Sequence, residues 1–211
     1  VGEHYSAATE PYPSPMMFAA SLLHRTERLV FGTGVINAPL HHPAMIAAEA
    51  AQFDHLSKGR FILGIGTGST PTDIEMMGAP SDPAERGRML AEAIEMIEDI
   101  WAGDPPYEFA GRYWTMRIRD SVNPALQFGW LPKPYQKPHP PIGIAGLSPR
   151  SDTLEMAGEL GLMPLSLNLS REYLRDHWAS VVRGAERVGR TPDRGDWRVV
   201  REVYIAETDA E

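Results

Sequence analysis

The sequence lacks cysteine entirely, and it has no long run of apolar residues. Without cysteine the chain cannot form disulfide bonds, cysteine-ligated zinc sites, iron–sulfur clusters or thiol nucleophiles. The longest apolar stretches have the length of a single β-strand, which is too short to span a lipid bilayer. A cysteine-free chain without a membrane-spanning segment is typical of a reducing compartment, so we expect a cytoplasmic protein.

Basic residues are also scarce, since 20 lysines and arginines stand against 28 aspartates and glutamates and the net charge is -8. Binding to nucleic acid or to an anionic membrane needs clustered lysine and arginine, so we expect neither partner. A small phosphorylated ligand is not excluded, because a few backbone N–H groups are enough to hold one phosphate.

The histidines show no metal-binding pattern. His41 and His42 are adjacent, so their side chains point in different directions, and no carboxylate lies at a suitable spacing. Pro43 suits the first turn of a helix, and the pair is better explained as the entry to that helix. We therefore expect no metal site.

Strand and helix patterns alternate along the first hundred residues. Residues 28–39 are β-rich, residues 42–58 carry apolar side chains at helical spacing, and residues 60–69 form a second strand pattern. A strand, a helix and a strand within about thirty residues predict a βαβ unit with parallel strands. A long amphipathic helix follows at residues 82–101.

Proline and aromatic residues then interrupt the alternation at about residues 104–140, which we interpret as an insertion with a short hairpin. The aromatic side chains of the insertion fit its own packed interior and a substrate pocket equally well. After it the sequence predicts further elements: a strand at 141–148, a helix at 149–160, a strand at 162–167, a helix at 170–188 and a strand at 197–206.

Apolar periodicity also predicts which side chains face the interior. They are Leu29, Val30 and Phe31 in the first strand, Ile46, Ala50, Phe53 and Leu56 in the first helix, Leu90, Ile94, Ile97 and Trp101 in the second, and Tyr173, Val181, Ala185 and Val188 in the last. Repeated βα units predict an α/β fold as one domain over residues 1–211, either a doubly wound sheet or a (β/α)8 barrel.

In both architectures the active site lies at the carboxyl ends of the strands. The predicted strand ends here are rich in glycine and hydroxyl groups, and they include one histidine, His4. Glycine allows the backbone to approach a flat, phosphorylated ligand closely. His4 fits a catalytic role and a structural one equally well. A dinucleotide-binding loop at residues 64–69 is disfavoured, because Pro71 follows where a helix would have to start at once.

Three segments resemble the luciferase-like, flavin-dependent monooxygenases: the motif Glu3-His4-Tyr5, residues 32–68, and residues 139–161. The longest of these is the most specific, and the insertion looks most like that of the alkanal and limonene monooxygenase type. The family folds as a (β/α)8 barrel. The resemblance implies that the first strand and helix and the last strand of that barrel are not in this chain, and that the insertion follows the fourth helix.

The resemblance also implies site residues. His4 would be the acid or base beside the flavin, a role that suits an imidazole because its pKa lies near neutrality. The residues that would bind the cofactor lie at strand ends: Thr33, Gly34, Val35, Gly66, Thr67, Gly146, Leu147 and Ser148.

Within this set the resemblance implies three different contacts. Residues 33–35 would run under the isoalloxazine, with a non-prolyl cis peptide at Gly34–Val35. Gly66 and Thr67 would flank the ring, and the amides of residues 146–148 would hold the phosphate. The catalytic chain of bacterial luciferase has an arginine for the phosphate where this chain has Thr67, so a charged contact is lost.

By resemblance, the protein is an enzyme that uses reduced FMN and O2 to oxygenate a small hydrophobic substrate. A flavin reductase would supply the reduced FMN, and the protein would be a homodimer. One alternative on the same fold is an oxidoreductase that transfers hydride with a deazaflavin coenzyme. Another is a non-catalytic barrel subunit of a heterodimer.

Overall fold

The computed structural model describes residues 1–10, 12–167, 170–200 and 208. The chain forms two compact units, Val1–Gly143 and Ile144–Glu211. Each alternates strands with helices, and the strand pairs outside the insertion that are given below are parallel. The predicted α/β fold is confirmed, and the assignment of all 211 residues to one domain stays a prediction.

The first unit contains the predicted βαβ arrangement. Phe31 lies opposite Phe61 and Ile36 lies opposite Ile65 in two parallel pairings onto the same central strand. The elements are α1 (Pro15–Ala20), β1 (Phe31–Gly32), β2 (Ile36–Asn37), α2 (Pro43–Ser57), β3 (Phe61–Gly66), α3 (Pro71–Met76), α4 (Pro83–Ala102), β4 (Tyr107–Ala110) and β5 (Thr115–Ile118).

The strand predicted at residues 28–39 is two short strands, because the chain bends between β1 and β2. Only Phe31 of the three predicted core residues is buried, while Leu29 and Val30 precede the strand and are exposed. That part of the prediction is wrong. A β-rich apolar run marks the strand here but does not give its first residue.

Helix α2 begins as the sequence predicts, with Pro43 in its first turn and the Nδ1 of His42 accepting a hydrogen bond from the N–H of Ala44 at 3.2 Å. Leu56 is 56% exposed, contrary to expectation, and Ser57 is buried in its place. The buried face continues at four-residue spacing, so position 57 faces inward and position 56 does not.

The long helix α4 packs on α2 through its predicted apolar stripe. The indole N–H of Trp101 donates to the carbonyl oxygen of Ala47 at 3.1 Å. All four residues of the stripe are buried: Leu90, Ile94, Ile97 and Trp101. The prediction for this helix is confirmed.

The insertion does contain a hairpin, in which β4 and β5 pair antiparallel. Its turn is held by Glu92 of α4, whose carboxylate accepts hydrogen bonds at 2.7–2.9 Å from three successive backbone N–H groups, those of Arg112, Tyr113 and Trp114. The hairpin is therefore tied to a helix of the first unit.

A second anchor lies near the end of the insertion. Asp54 of α2 is fully buried, and its carboxylate accepts hydrogen bonds from the backbone N–H and the side-chain amide of Gln136 at 2.8 and 2.7 Å. The aromatic side chains of the insertion divide by exposure, since Tyr107 is buried whereas Phe128 and Tyr135 are exposed.

The second unit continues the alternation, and Ser166 lies opposite Val199 in its parallel pair. Its elements are β6 (Ile142–Gly146), which begins just before the boundary, α5 (Asp152–Leu160), β7 (Met163–Leu167), α6 (Arg171–Arg187) and β8 (Arg198–Val200). In α6, Val181 and Ala185 are buried as predicted, whereas Val188 is exposed. Residues 201–206 of the last predicted strand lie outside the described residues.

Helices α5 and α6 approach each other through glycine. A Cβ atom at Gly184 would overlap the carbonyl oxygen of Glu155, and one at Gly158 would overlap that of Val181. Because both obstacles are backbone atoms, a larger residue at either position would force the helices apart.

Candidate functional site

His4 lies in the first unit with a polar partner at each ring nitrogen. Its Nδ1 is 2.9 Å from the hydroxyl of Thr70 and 3.6 Å from the carboxylate of Asp73. Its Nε2 is 3.0 Å from the carboxylate of Glu10. The side chain is 25% exposed, so the ring is both oriented by the protein and accessible from outside.

Glu3 fixes one side of the segment that carries His4. Its carboxylate is 3% exposed and accepts hydrogen bonds from the backbone N–H of Asn37 at 2.8 Å, from His41 Nε2 at 2.8 Å and from the Tyr5 hydroxyl at 3.1 Å. Burial and the Glu3 carboxylate both raise the pKa of Tyr5, so the phenol stays protonated and donates. The segment is thereby bound to the end of β2.

Asp73, in α3, fixes the other side. It is 1% exposed and accepts hydrogen bonds from the backbone N–H groups of Tyr5 and Ser6, at 3.3 and 2.9 Å, and from the Ser6 hydroxyl. Burial alone would raise the pKa of this carboxyl, but the hydrogen bonds outweigh burial and hold the pKa below its usual value of 3.8. Asp73 is therefore a charged, buried anchor.

We expect Asp73→Asn to be less stable than the wild type at neutral pH by about 1–3 kcal/mol, because buried donors lose a charged acceptor. A carboxyl whose pKa is lowered by folding stabilises the protein above its unfolded-state pKa, and this contribution disappears as the pH falls below 3.8. Urea unfolding as a function of pH measures both effects, and the difference between the two proteins should shrink in acid.

Asp120 provides the matched control for this prediction. It forms a 3.0 Å ion pair with Arg117 on an exposed part of the insertion. Exposed pairs of this kind contribute less than about 1 kcal/mol, so Asp120→Asn should leave the pH profile unchanged. An Asp73→Asn protein with the wild-type profile would show that Asp73 does not anchor the segment.

The predicted ring-binding residues 33–35 connect β1 to β2. The hydroxyl of buried Thr33 donates to the carbonyl oxygen of Gly64 at 2.7 Å, and the peptide bond Gly34–Val35 is cis, as the family resemblance implies. A Cβ atom built on Gly34 would meet nothing closer than 4.0 Å, and the φ angle of this residue is not positive. Packing therefore does not require glycine at this exposed position, and the backbone is open to a flat ligand.

Gly66 ends β3 and is buried, and Thr67 follows it. The backbone after this strand is held by Arg86 of α4, whose buried guanidinium donates to the carbonyl oxygens of Thr67 at 3.1 Å and Gly68 at 3.5 Å. The same group also donates to two carbonyl oxygens of a neighbouring loop, those of Pro80 and Ser81. Arg86 therefore shapes the strand end through hydrogen bonds to backbone carbonyl groups.

The predicted phosphate-binding residues lie in the second unit. Gly146 is a glycine for a packing reason, because a Cβ atom there would overlap Leu154 of α5 and lie 2.6 Å from the hydroxyl of Ser151. Ser151 caps α5 by accepting a hydrogen bond from the N–H of Leu154 at 3.2 Å. Leu147 and Ser148, between the strand and this helix, are exposed.

Sequence reasoning missed the partners that hold these residues. Thr70 and Asp73 are more than sixty residues from His4, and Pro71 is interpreted from the sequence as evidence against a helix where the structure has α3. Arg86 lies four residues before Leu90, in line with the apolar stripe of the amphipathic helix. An arginine in line with that stripe is the signal that could have identified it.

Within the part of the chain that the structure describes, histidine and acidic side chains nowhere gather in a group of three or more that could bind a metal ion. None of its helices combines the length and the hydropathy that a membrane-spanning helix needs.

Several proteins of known activity are similar to this chain. It is 36% identical to the 4-hydroxyprotoasukamycin monooxygenase of Streptomyces nodosus subsp. asukaensis, in an alignment covering 99% of this chain and 54% of that protein. It is 33% identical to the limonene 1,2-monooxygenase of Rhodococcus erythropolis, covering 99% and 51%. The chain thus spans about half the length of the curated relatives it matches.

Solved structures of similar proteins have the same fold. The oxygenating constituent of 3,6-diketocamphane monooxygenase from Pseudomonas putida, a type II Baeyer-Villiger monooxygenase in complex with FMN, superposes with a TM-score of 0.87 at 28% identity, covering 99% of this chain and 57% of that chain. An F420-dependent secondary alcohol dehydrogenase shares the fold, with a TM-score of 0.74 at 19% identity, over 94% of this chain and 57% of that chain.

The family model for luciferase-like monooxygenases matches residues 1–211. The match covers the whole chain, including the Glu3-His4-Tyr5 segment, the strand ends and the insertion. The resemblance inferred from the three sequence motifs is thereby confirmed, and the chain belongs to the luciferase-like monooxygenase family.

Proposed function

We propose that this chain is the oxygenating part of a flavin-dependent monooxygenase with a (β/α)8 barrel fold. It uses reduced FMN and O2 to oxygenate a small hydrophobic substrate. The observation that carries the proposal is the His4 imidazole, which is partly exposed and hydrogen-bonded to the Thr70 hydroxyl, with the Asp73 carboxylate 3.6 Å away. Family membership supports the same reaction class.

The residues present fit a flavin. Gly34 leaves open backbone beside buried Thr33, and Gly66 ends a strand without a side chain. In the proposal, residues 33–35 and 66–67 contact the ring, and the backbone N–H groups of residues 146–148 hold the phosphate. Bound FMN would supply the electrons that activate oxygen, a chemistry that protein side chains do not provide.

His4 is the proposed acid or base of the reaction. In the proposal Nδ1, which lies 2.9 Å from the Thr70 hydroxyl and 3.6 Å from the Asp73 carboxylate, keeps its hydrogen and orients the ring. Nε2 then exchanges the proton, and when it carries one it donates to the Glu10 carboxylate 3.0 Å away. An imidazole suits this exchange, since its ordinary pKa lies close to neutral pH.

Two partners belong to the proposal. The 3,6-diketocamphane relative is described as the oxygenating constituent of its enzyme, which supports a separate flavin reductase as a partner here. The second partner is another copy of the chain in a homodimer, which the family resemblance implies. The substrate is proposed to be a monoterpene or a cyclic ketone, because similar proteins are named for limonene and diketocamphane.

Isotope labelling tests the function. The protein, FMN, NADH and a flavin reductase are incubated with a panel of monoterpenes and cyclic ketones under ¹⁸O2, and products are analysed by mass spectrometry. We expect one ¹⁸O atom in the product, and none when the protein is omitted. Turnover without O2, driven by a reduced deazaflavin coenzyme, would support hydride transfer instead. Failure to bind any flavin would support a non-catalytic subunit.

A further inference from the structure

His177 of α6 is a fully buried histidine to which the proposed reaction assigns no role. Its Nε2 lies 2.9 Å from the carbonyl oxygen of Ser148. Because a carbonyl oxygen can only accept, Nε2 carries the hydrogen and donates it. Burial lowers the pKa of the ring, which is consistent with a neutral imidazole whose second nitrogen, Nδ1, is bare.

The Nδ1 of His177 has no hydrogen-bond partner within the described residues. Burying an unpaired polar atom costs free energy, and an apolar side chain of similar size would avoid that cost. The buried face of α6 also carries Val181, Ala185 and Ser180. The hydrogen bonds of the Ser180 hydroxyl go to Asp176 and Arg183, not to His177. The hydrogen bond to Ser148 is what the histidine adds.

Ser148 belongs to the loop between β6 and α5. Its carbonyl group lies in the peptide bond to Pro149, which has no N–H group of its own. Ser151 fixes the far end of the loop by capping α5. The near end is fixed by β6, so His177 holds the middle of the loop from a different helix.

We propose that His177 is a positioning residue, which orients the Ser148 peptide and thereby sets residues 146–148 in the arrangement that binds the flavin phosphate. It does not touch the phosphate but acts through the loop. The inference rests on the proposed function. His177 matters for FMN, which has a phosphate, and not for riboflavin, which has the same ring without one.

Two substitutions separate the donor from the bulk of the side chain. In His177→Gln the side-chain amide can reach the position of Nε2 and keep the hydrogen bond, whereas His177→Leu keeps similar volume without a donor. Dissociation constants for FMN and riboflavin are measured by flavin fluorescence. We expect His177→Leu to weaken FMN binding about ten-fold, consistent with loss of one hydrogen bond in a buried setting, and riboflavin binding less than about two-fold. His177→Gln should stay near the wild type for both.

Equal weakening of both flavins in His177→Leu would mean a general structural role and would overturn the inference, as would unchanged FMN binding. If the leucine variant does not fold, His177→Asn takes its place, because its shorter amide cannot reach Ser148. Wild-type protein that binds neither flavin would instead contradict the proposed function itself. The two failures are therefore distinguishable.

Discussion

Replacing His4 with alanine is expected to lower the rate of oxygenated product formation by about 10²–10⁴-fold, the usual contribution of a positioned acid or base. The variant removes both ring nitrogens, and with them the proton held beside Glu10. The surrounding segment should keep its shape, because Glu3 and Asp73 bind its neighbours through the Tyr5 side chain and the backbone of residues 5–6. FMN affinity should therefore change little.

Product yield under reductase-coupled turnover and FMN binding by fluorescence are measured on the same preparations. His24→Ala is the matched control, since His24 is exposed on the short helical turn Leu23–Arg25. It should behave like the wild type in both measurements. Full turnover by the His4→Ala protein would remove His4 from the mechanism and leave the acid or base to be found elsewhere.

Of the substitutions proposed for stability measurements, Gly184→Ala should cause the largest loss. We expect about 3 kcal/mol, at the upper end of what overpacking usually causes. The added Cβ atom would overlap the carbonyl oxygen of Glu155, and a backbone atom cannot rotate away as a side chain can. The helices α5 and α6 would have to separate, which also affects the reciprocal contact at Gly158. This loss greatly exceeds the gain that alanine normally gives in a helix.

Gly87→Ala is the matched control for this substitution. Gly87 also lies inside a helix, α4, but a Cβ atom there would meet nothing within 4 Å. It should stabilise the protein by about 0.5–1 kcal/mol through helix propensity alone. Urea unfolding of both variants gives the comparison. If both substitutions stabilised the protein equally, α5 and α6 would not pack as closely as described.

Periodicity predicted the fold well wherever a long amphipathic pattern met a clear helix signal. The stripe of α4 and the start of α2 at Pro43 followed from such patterns. The errors lie at the edges of elements. Leu29 and Leu56 are apolar residues next to a buried face, and their exposure depends on where a strand starts and how a helix turns.

The candidate site was less accessible from sequence. His4 could be singled out because it is the one histidine among the predicted strand ends, but a pattern cannot pair it with Thr70 or Asp73 across sixty residues. Those pairings arise from folding. Gly146 shows a different limit of sequence reasoning. A glycine there is consistent with close approach of a ligand, but only the structure shows that packing against α5 also requires it. The cis peptide at Gly34–Val35 came from family resemblance, not from the local pattern.

The two anchors of the aromatic insertion bear on how a substrate could enter. The two anchors supply five of the hydrogen bonds that tie the insertion to α2 and α4, three from residues 112–114 to Glu92 and two from Gln136 to Asp54. Swinging this segment open as a lid would break all five and leave two carboxylates without their donors. The insertion should instead behave as a fixed wall, with slow amide exchange even at its turn. Any opening motion must then come from another part of the protein.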